Sequence, residues 1–361
     1  MMDTHSEVTY FLGANAPGGF HSIFDHMLPL AEARAIYILK GGPGCGKSTL
    51  MGRVEAEALA RGLETEAILC SGDPDSLDAI VLPDLHIAVL DGTPPHVMEA
   101  KCPGAIEHYV NLEDCYDASA LYPIRAAIQD CKRAYQKHYA HAYRCLEACA
   151  ALREEDRTLV LTQELAARLR KRAEGLLART LPVKKDALPG KSRPRFLSTP
   201  THRGMEFLYE TALVQCPKIY NLQDSSGLAH EMLTVLLTGA LERGYGCVPC
   251  PDPMAPDRLA HLLVPEAGVA FLSSAEPLPR KPHRRLRLDA MADPELLHRN
   301  STRLKFSRRV SEALFEEAAA ALAAAKAGHD DLEALYHPHV DFAQVEAYGQ
   351  RVCREIFSLL P

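Results

Sequence analysis

The chain has 361 residues, 47% hydrophobic and 24% charged, which is long for one ordinary domain and apolar enough to fill a sizeable core. A formal net charge of −7 argues against a dedicated nucleic-acid binder, and no apolar run reaches the roughly 18 to 20 residues of a membrane span. Residues 1–7 lack the basic and apolar regions of a signal peptide, and the 11 cysteines lack the density of a disulfide framework, so reduced thiols in a cytoplasmic protein are expected.

Ala35 to Lys40 is a short apolar run with β-branched and aromatic members, which predicts a buried strand. It leads into Gly41-Gly42-Pro43-Gly44-Cys45-Gly46-Lys47-Ser48-Thr49, matching G-x-x-x-x-G-K-[ST] at every fixed position. Residues 50–62 then follow a helix pattern stopped by Gly62. Strand, glycine-rich loop and helix in succession form a phosphate-binding loop (P-loop). Its glycines turn backbone N–H groups inward at the positive end of the helix dipole. On this reading Gly41 to Thr49 hold a nucleotide, Lys47 reaches the β- and γ-phosphates, and the Ser48 hydroxyl ligates Mg²⁺. No guanine-reading N-K-x-D string occurs, which favours ATP over GTP.

Residues 64–70 read as another strand, followed by the acidic loop Ser71-Gly72-Asp73-Pro74-Asp75-Ser76-Leu77-Asp78. Ligands of open α/β sheets bind at the carboxyl ends of strands, so this loop is expected to face the site. Asp73 is the first candidate for a catalytic base and Asp75 the second; helix capping by Asp75 or Ser76 is the competing reading. Leu85 to Leu90 is an apolar run ending in Asp91, the expected second magnesium-side residue. Gly92 follows, where many P-loop ATPases carry a glutamate, so the base must lie elsewhere. His96 either approaches the γ-phosphate or is a solvent-exposed loop residue. Cys45 is either a thiol whose oxidation would block nucleotide or a small tolerated side chain.

Between residues 124 and 181 there is no proline and one glycine, and an apolar stripe runs from Ile124 through Tyr135, Tyr139 and Leu146 to Cys149. A second helix from about Arg157 to Ala178 is expected to fold back on the first. Residues 219–233 align without gaps on 36–50, with Ile, Tyr, Leu, Gly and Leu coinciding. Further on, Pro74, Asp75, Leu77, Pro83, Ala88 and Leu90 recur as Pro256, Asp257, Leu259, Pro265, Ala270 and Leu272. The chain therefore reads as two copies of one unit: 1–181, with a helical hairpin over about 124–181, a linker at 182–194, and 195–361, with a hairpin over about 295–361. In the second copy Gly41 becomes Asp224, Gly46 becomes Ala229, Lys47 becomes His230, Ser48 becomes Glu231 and Asp91 becomes Ser273, so no nucleotide is expected there. Cys247 and Cys250 have C-x-x-C spacing but no second pair at ligand spacing. The basic stretches at 184–193 and 280–287 read as solvated loops.

Through Gly41 to Thr49 and Asp91 the sequence resembles P-loop nucleoside triphosphatases. Through Phe11-Leu12-Gly13 with Gly19-Phe20, Lys40 to Thr49, Asp73 to Asp78 and Leu90 to Thr93 it is similar to a little-characterised bacterial family of ATPases built from tandem P-loop halves. The resemblance covers much of residues 10 to 110 and weakens beyond. It implies an α/β fold with a mainly parallel sheet flanked by helices, duplicated, and it implies ATP binding without a settled substrate. In that family both halves often keep a phosphate loop, and this chain departs in the second. Three activities fit the residues. The first is a Mg²⁺-dependent ATPase with one active half, with Lys47, Asp91 and Asp73 as catalytic residues. The second is a small-molecule or nucleotide kinase. The third is an ATP-gated scaffold with negligible turnover. A protein partner or small-molecule acceptor is left open, as is self-association.

Overall fold

The computed structural model describes residues 8–185, 187–358 and 360. Residues 1–7, on which the signal-peptide expectation rests, lie outside them, as do Asp186 in the linker and residues 359 and 361. The first half contains Val8–Tyr10 (β1), Gly13–Ala16 (β2), Gly19–Ser22 (β3), Ala35–Lys40 (β4), Lys47–Ala60 (α1), Glu66–Leu69 (β5), Leu77–Leu82 (β6), Ile87–Asp91 (β7) and Glu107–Asn111 (β8). Three helices follow, Ala118–Leu121 (α2), Arg125–Val160 (α3) and Gln163–Thr180 (α4). The second half contains Ser198–Thr201 (β9), Gly204–Phe207 (β10), Tyr209–Gln215 (α5), Lys218–Gln223 (β11), Ala229–Glu242 (α6), Val248–Asp252 (β12), Ala255–Val264 (β13), Val269–Ser274 (β14) and Arg284–Arg287 (β15). Pro294–Arg299 (α7), Ser301–Tyr336 (α8) and Phe342–Phe357 (α9) close the chain.

The α/β class holds, but the sheets are mixed rather than mainly parallel. In the order β1-β5-β6-β7-β4-β8, β6 runs antiparallel to both neighbours while the other pairings are parallel. The cause is loop length. A parallel pairing needs a crossover of about a dozen residues, whereas β5 reaches β6 through residues 70–76 and β6 reaches β7 through a single turn at Pro83–Leu85. The second sheet, β12-β13-β14-β11-β15, repeats the order β5-β6-β7-β4-β8 with the same sense at every pairing. Gly44 and Gly227, which align in sequence, have φ of +69° and +70°.

Strand alternation sends side chains to two cores. Tyr37 and Leu39 of β4 pack with Leu50, Met51 and Val54 of α1, and Ile36 and Ile38 point to the other face. There they meet Ile219, Leu263, Ala270 and Leu272 of the second sheet, with Tyr209 and Ala212 from α5 and Cys216 at its C-cap. The two sheets thus share a central core, and each carries helices on its outer face.

Those outer helices are exchanged between the halves, which corrects the expected hairpins. α3 runs as one helix to Val160 and pairs antiparallel with α8: the Cys131 thiol donates to the Gly328 carbonyl and the Cys149 thiol to that of Ser311, both at 3.3 Å, and Arg303 pairs with Glu155. The Thr162 hydroxyl caps α4 by accepting from the Leu165 N–H at 3.2 Å. α4 then buries Leu165, Leu169, Ala173 and Leu176 against Met232, Leu233 and Leu236 of α6, in the second half. Conversely α9 buries Val345, Val352, Cys353 and Ile356 against α1, in the first. The amphipathic stripes are real, but their partner is the other half.

Candidate functional site

Residues 41–46 form the turn between β4 and α1. Gly44 and Gly46 take φ of +69° and +83°, a left-handed backbone that a Cβ disfavours. Gly46 is the N-cap of α1 and has no side chain to cap it, and no acidic residue sits in the first turn. The positive end of this 14-residue helix therefore has no compensating side chain from its own N-cap or first turn. Lys47, the first residue of α1, folds back across the turn and donates to the carbonyls of Gly41 and Gly42, both at 2.8 Å. The Ser48 hydroxyl accepts the N–H of Leu77 at 3.0 Å, which ties α1 to the start of β6.

β7 runs parallel beside β4 with Leu39 opposite Asp91. This register puts Asp91 at the mouth of the loop. Its Oδ2 lies 3.6 Å from Lys47 Nζ, and its Oδ1 accepts from the Thr93 N–H and hydroxyl at 2.9 and 2.6 Å. One carboxylate oxygen is thereby anchored and the other faces the lysine. Lys40 fastens the following segment by donating to the Gly92 and Met98 carbonyls at 2.9 and 3.0 Å.

Other candidates are placed differently. Asp73 pairs with Lys326 of α8 at 3.4 Å, and Asp75 pairs with Arg203 in the β9–β10 turn, whose hydrogen bond, helped by its charge, holds the carboxyl below the usual range. Asp75 caps no helix, because β6 follows it. His96 is buried, against the exposed-loop reading: it stacks on Phe24 at 4.8 Å, and both ring nitrogens lack a hydrogen-bond partner. Its Nε2 lies 3.9 Å from Asp78, the first residue after Leu77 in β6. Asp78 is itself buried, and desolvation raises its pKa against the opposing influence of His96, with Asp91 raising it further. Sequence reasoning left Asp78 in a loop. Antiparallel pairing of Ala79 with Leu90 places it beside Asp91 instead. Cys45 is also buried, and burial raises its pKa despite the nearby Lys47 charge, so its thiol is protonated and shielded.

Two features over the loop had no local sequence signal. Tyr116 donates its hydroxyl to the Pro43 carbonyl at 3.0 Å, and the Gly44 N–H donates to Glu333 of α8 at 3.3 Å. Glu333, His329 and Asp330 place donor atoms within 4.8 Å of one another.

The corresponding turn of the second half is filled from within. The Asp224 carboxylate accepts from the Ser226 and Ala229 N–H groups at 3.0 and 2.7 Å, so it takes the position of an external anion at the start of α6. Its burial raises its pKa even so. Glu231 is held by Arg157 at 3.2 Å and Arg170 at 2.6 Å. His230, aligned with Lys47, accepts the Leu259 N–H at 3.1 Å through Nδ1.

The remaining sequence candidates are structural. Cys247 and Cys250 lie in or beside β12 and join different cores, because residues three apart in a strand face opposite ways. Arg284–Arg287 form the edge strand β15 rather than a loop, and the linker lies along the second half, with Lys184 donating to the Gly244 carbonyl at 3.0 Å. None of the described helices is long and apolar enough to cross a membrane. No family model, no curated protein and no solved structure matches the chain.

Proposed function

We propose that this chain binds Mg²⁺-ATP at Gly41 to Thr49 and hydrolyses it, with a second half that derives from the same duplicated unit and has lost nucleotide binding. One observation carries the reading: an uncapped α1 entered through left-handed Gly44 and Gly46, with Lys47 lying 3.6 Å from Asp91 at the end of the adjacent parallel strand. The inward N–H groups and the helix dipole bind phosphate oxygens, and Lys47 neutralises charge that develops on the transferred group. Its contacts to Gly41 and Gly42 hold it in place beforehand. Ser48 and Asp91 supply hard oxygen donors of the kind magnesium prefers, and the Thr93 anchor fixes the orientation of Asp91. Magnesium held by Ser48 and Asp91 would supply charge neutralisation to the phosphates. The shared strand order and the matched Gly44 and Gly227 support the duplication.

A second reading, an ATP-gated scaffold with negligible turnover, is favoured by the engagement of Asp73 with Lys326. The deciding experiment measures Mg²⁺-dependent ATP binding and consumption by the full chain, Lys47→Ala and His230→Ala. Turnover lost only in Lys47→Ala supports the ATPase, and binding without turnover selects the scaffold. Consumption that starts only with an added hydroxyl acceptor selects a kinase. Absence of binding in the folded chain refutes all three.

A further inference from the structure

α8 belongs to the second half of the chain, yet its carboxyl end lies over the P-loop of the first. Glu333 accepts the Gly44 N–H at 3.3 Å, and a Cβ built on Gly44 would stand 3.4 Å from that of Glu333. Earlier in the same helix Lys326 pairs with Asp73 at 3.4 Å and with Asp330 at 2.8 Å. At its end Tyr336 packs on Tyr116 with ring centroids 5.3 Å apart, and Tyr116 in turn holds the Pro43 carbonyl. The helix therefore meets the loop directly at Gly44 and its surroundings at Asp73 and Tyr116, and the direct contact joins a carboxylate to a loop N–H. A left-handed glycine N–H in such a turn is a group that phosphate oxygens take. Glu333 offers the same charge and the same acceptor chemistry.

The other turn is covered in the same way with opposite charge. Arg157, near the end of α3, donates to the Gly227 carbonyl at 3.1 Å and to Glu231 at 3.2 Å. Asp224 already takes the Ser226 and Ala229 N–H groups of that turn, and its covering helix supplies a cation instead.

We infer that Glu333 gates the P-loop: its carboxylate occupies a phosphate-binding N–H, so phosphate entry requires the carboxyl end of α8 to withdraw. The inference rests on the reading of Gly41 to Thr49 as a nucleotide site. Since α8 pairs along its length with α3, withdrawal at Glu333 strains an arm whose other end covers the second turn. Closure lowers apparent affinity by the fraction of molecules that are open. Removing the charge of Glu333 weakens closure, because hydrogen bonds to charged groups are the stronger ones.

The test titrates a fluorescent ATP analogue with Mg²⁺ into the full-length wild type, Glu333→Gln and Glu333→Asp, whose shorter side chain draws the carboxylate back from Gly44. Amide exchange is followed in residues 41–49 without nucleotide and in residues 326–336 with and without it. Both variants should bind about five- to tenfold more tightly and exchange faster in the loop. In the wild type, nucleotide should speed exchange at the end of α8. Equal or weaker binding by the variants, with the wild type binding, overturns the gate and leaves the nucleotide site standing. If neither the wild type nor the variants bind while all remain folded, the nucleotide reading falls and the gate with it.

Discussion

His261 makes the shared core acid-labile, and the size of the effect follows from its surroundings. It lies on the face of β13 turned toward the first sheet, 5% exposed, stacked on Phe207 at 5.0 Å, with Nδ1 accepting the Ser273 N–H at 3.2 Å. Burial pushes its pKa down to about 3, against about 6.5 for an ordinary histidine. A histidine depressed in the folded state contributes stability that is present above pH 6.5. That stability is lost as pH falls toward 3, because only the unfolded chain takes up the proton. Between pH 7 and pH 5 the loss is about 2 kcal/mol, at about 1.4 kcal/mol per pH unit once the unfolded histidine is fully protonated. His261→Asn keeps an acceptor where Nδ1 stands and has no proton to gain. The variant is less stable at pH 7, since it leaves a gap beside Phe207, but its loss between pH 7 and pH 5 should be about 2 kcal/mol smaller than that of the wild type. Urea unfolding of both proteins at the two pH values measures the difference. Equal losses would refute the assignment of acid lability to this ring.

Lys47→Ala should abolish nucleotide binding or turnover and His230→Ala should leave both intact; equal losses in an ATP consumption assay would contradict a single active half. Asp91→Asn should weaken Mg²⁺-dependent binding while keeping the unfolding midpoint within about 1 kcal/mol, because the Thr93 bonds go to Oδ1, which asparagine retains. A titration of Mg²⁺ in parallel with a thermal melt separates the two effects. Glu231→Ala removes the carboxylate shared by Arg157 and Arg170 and should cost on the order of 2 kcal/mol in a denaturation assay. Leu169→Ala should destabilise by about 2 to 5 kcal/mol and speed amide exchange in α6 and β11 rather than in α1. Faster exchange confined to the first sheet would contradict the exchanged packing.

Much of the site was legible because its signals are local. The apolar run of β4, the glycine loop and the start of α1 lie within fifteen consecutive residues, and the strand, turn and helix follow from that local pattern. Asp91 was legible as the end of a buried run. Asp78 was not, since its position depends on β6 turning back antiparallel, and two turns decide that rather than any motif. The stripe from Ile124 to Cys149 showed that one helix face is buried, but periodicity does not say against what. The stripe faces α8, where α4 was expected. Glu333 is more than 280 residues from Gly44 in the chain, and only the exchange of helices brings them together.

That exchange gives the second turn a role on the proposed reading, in which it binds no phosphate. Each long helix ends over one glycine turn, α8 over Gly44 and α3 over Gly227, and the two helices are joined along their length. The second turn satisfies the Ser226 and Ala229 N–H groups through Asp224, and its cover, Arg157, bonds a carbonyl and a buried carboxylate of that half. The first turn has no internal carboxylate, and its cover is a side chain that a stronger anion can replace. A fixed contact at one end of a stiff pair and a displaceable one at the other make a lever with a fulcrum. On the proposed reading of Gly41 to Thr49 as a nucleotide site, the second half is the anchor against which nucleotide at the first turn pushes, a role that needs its fold and not phosphate chemistry of its own.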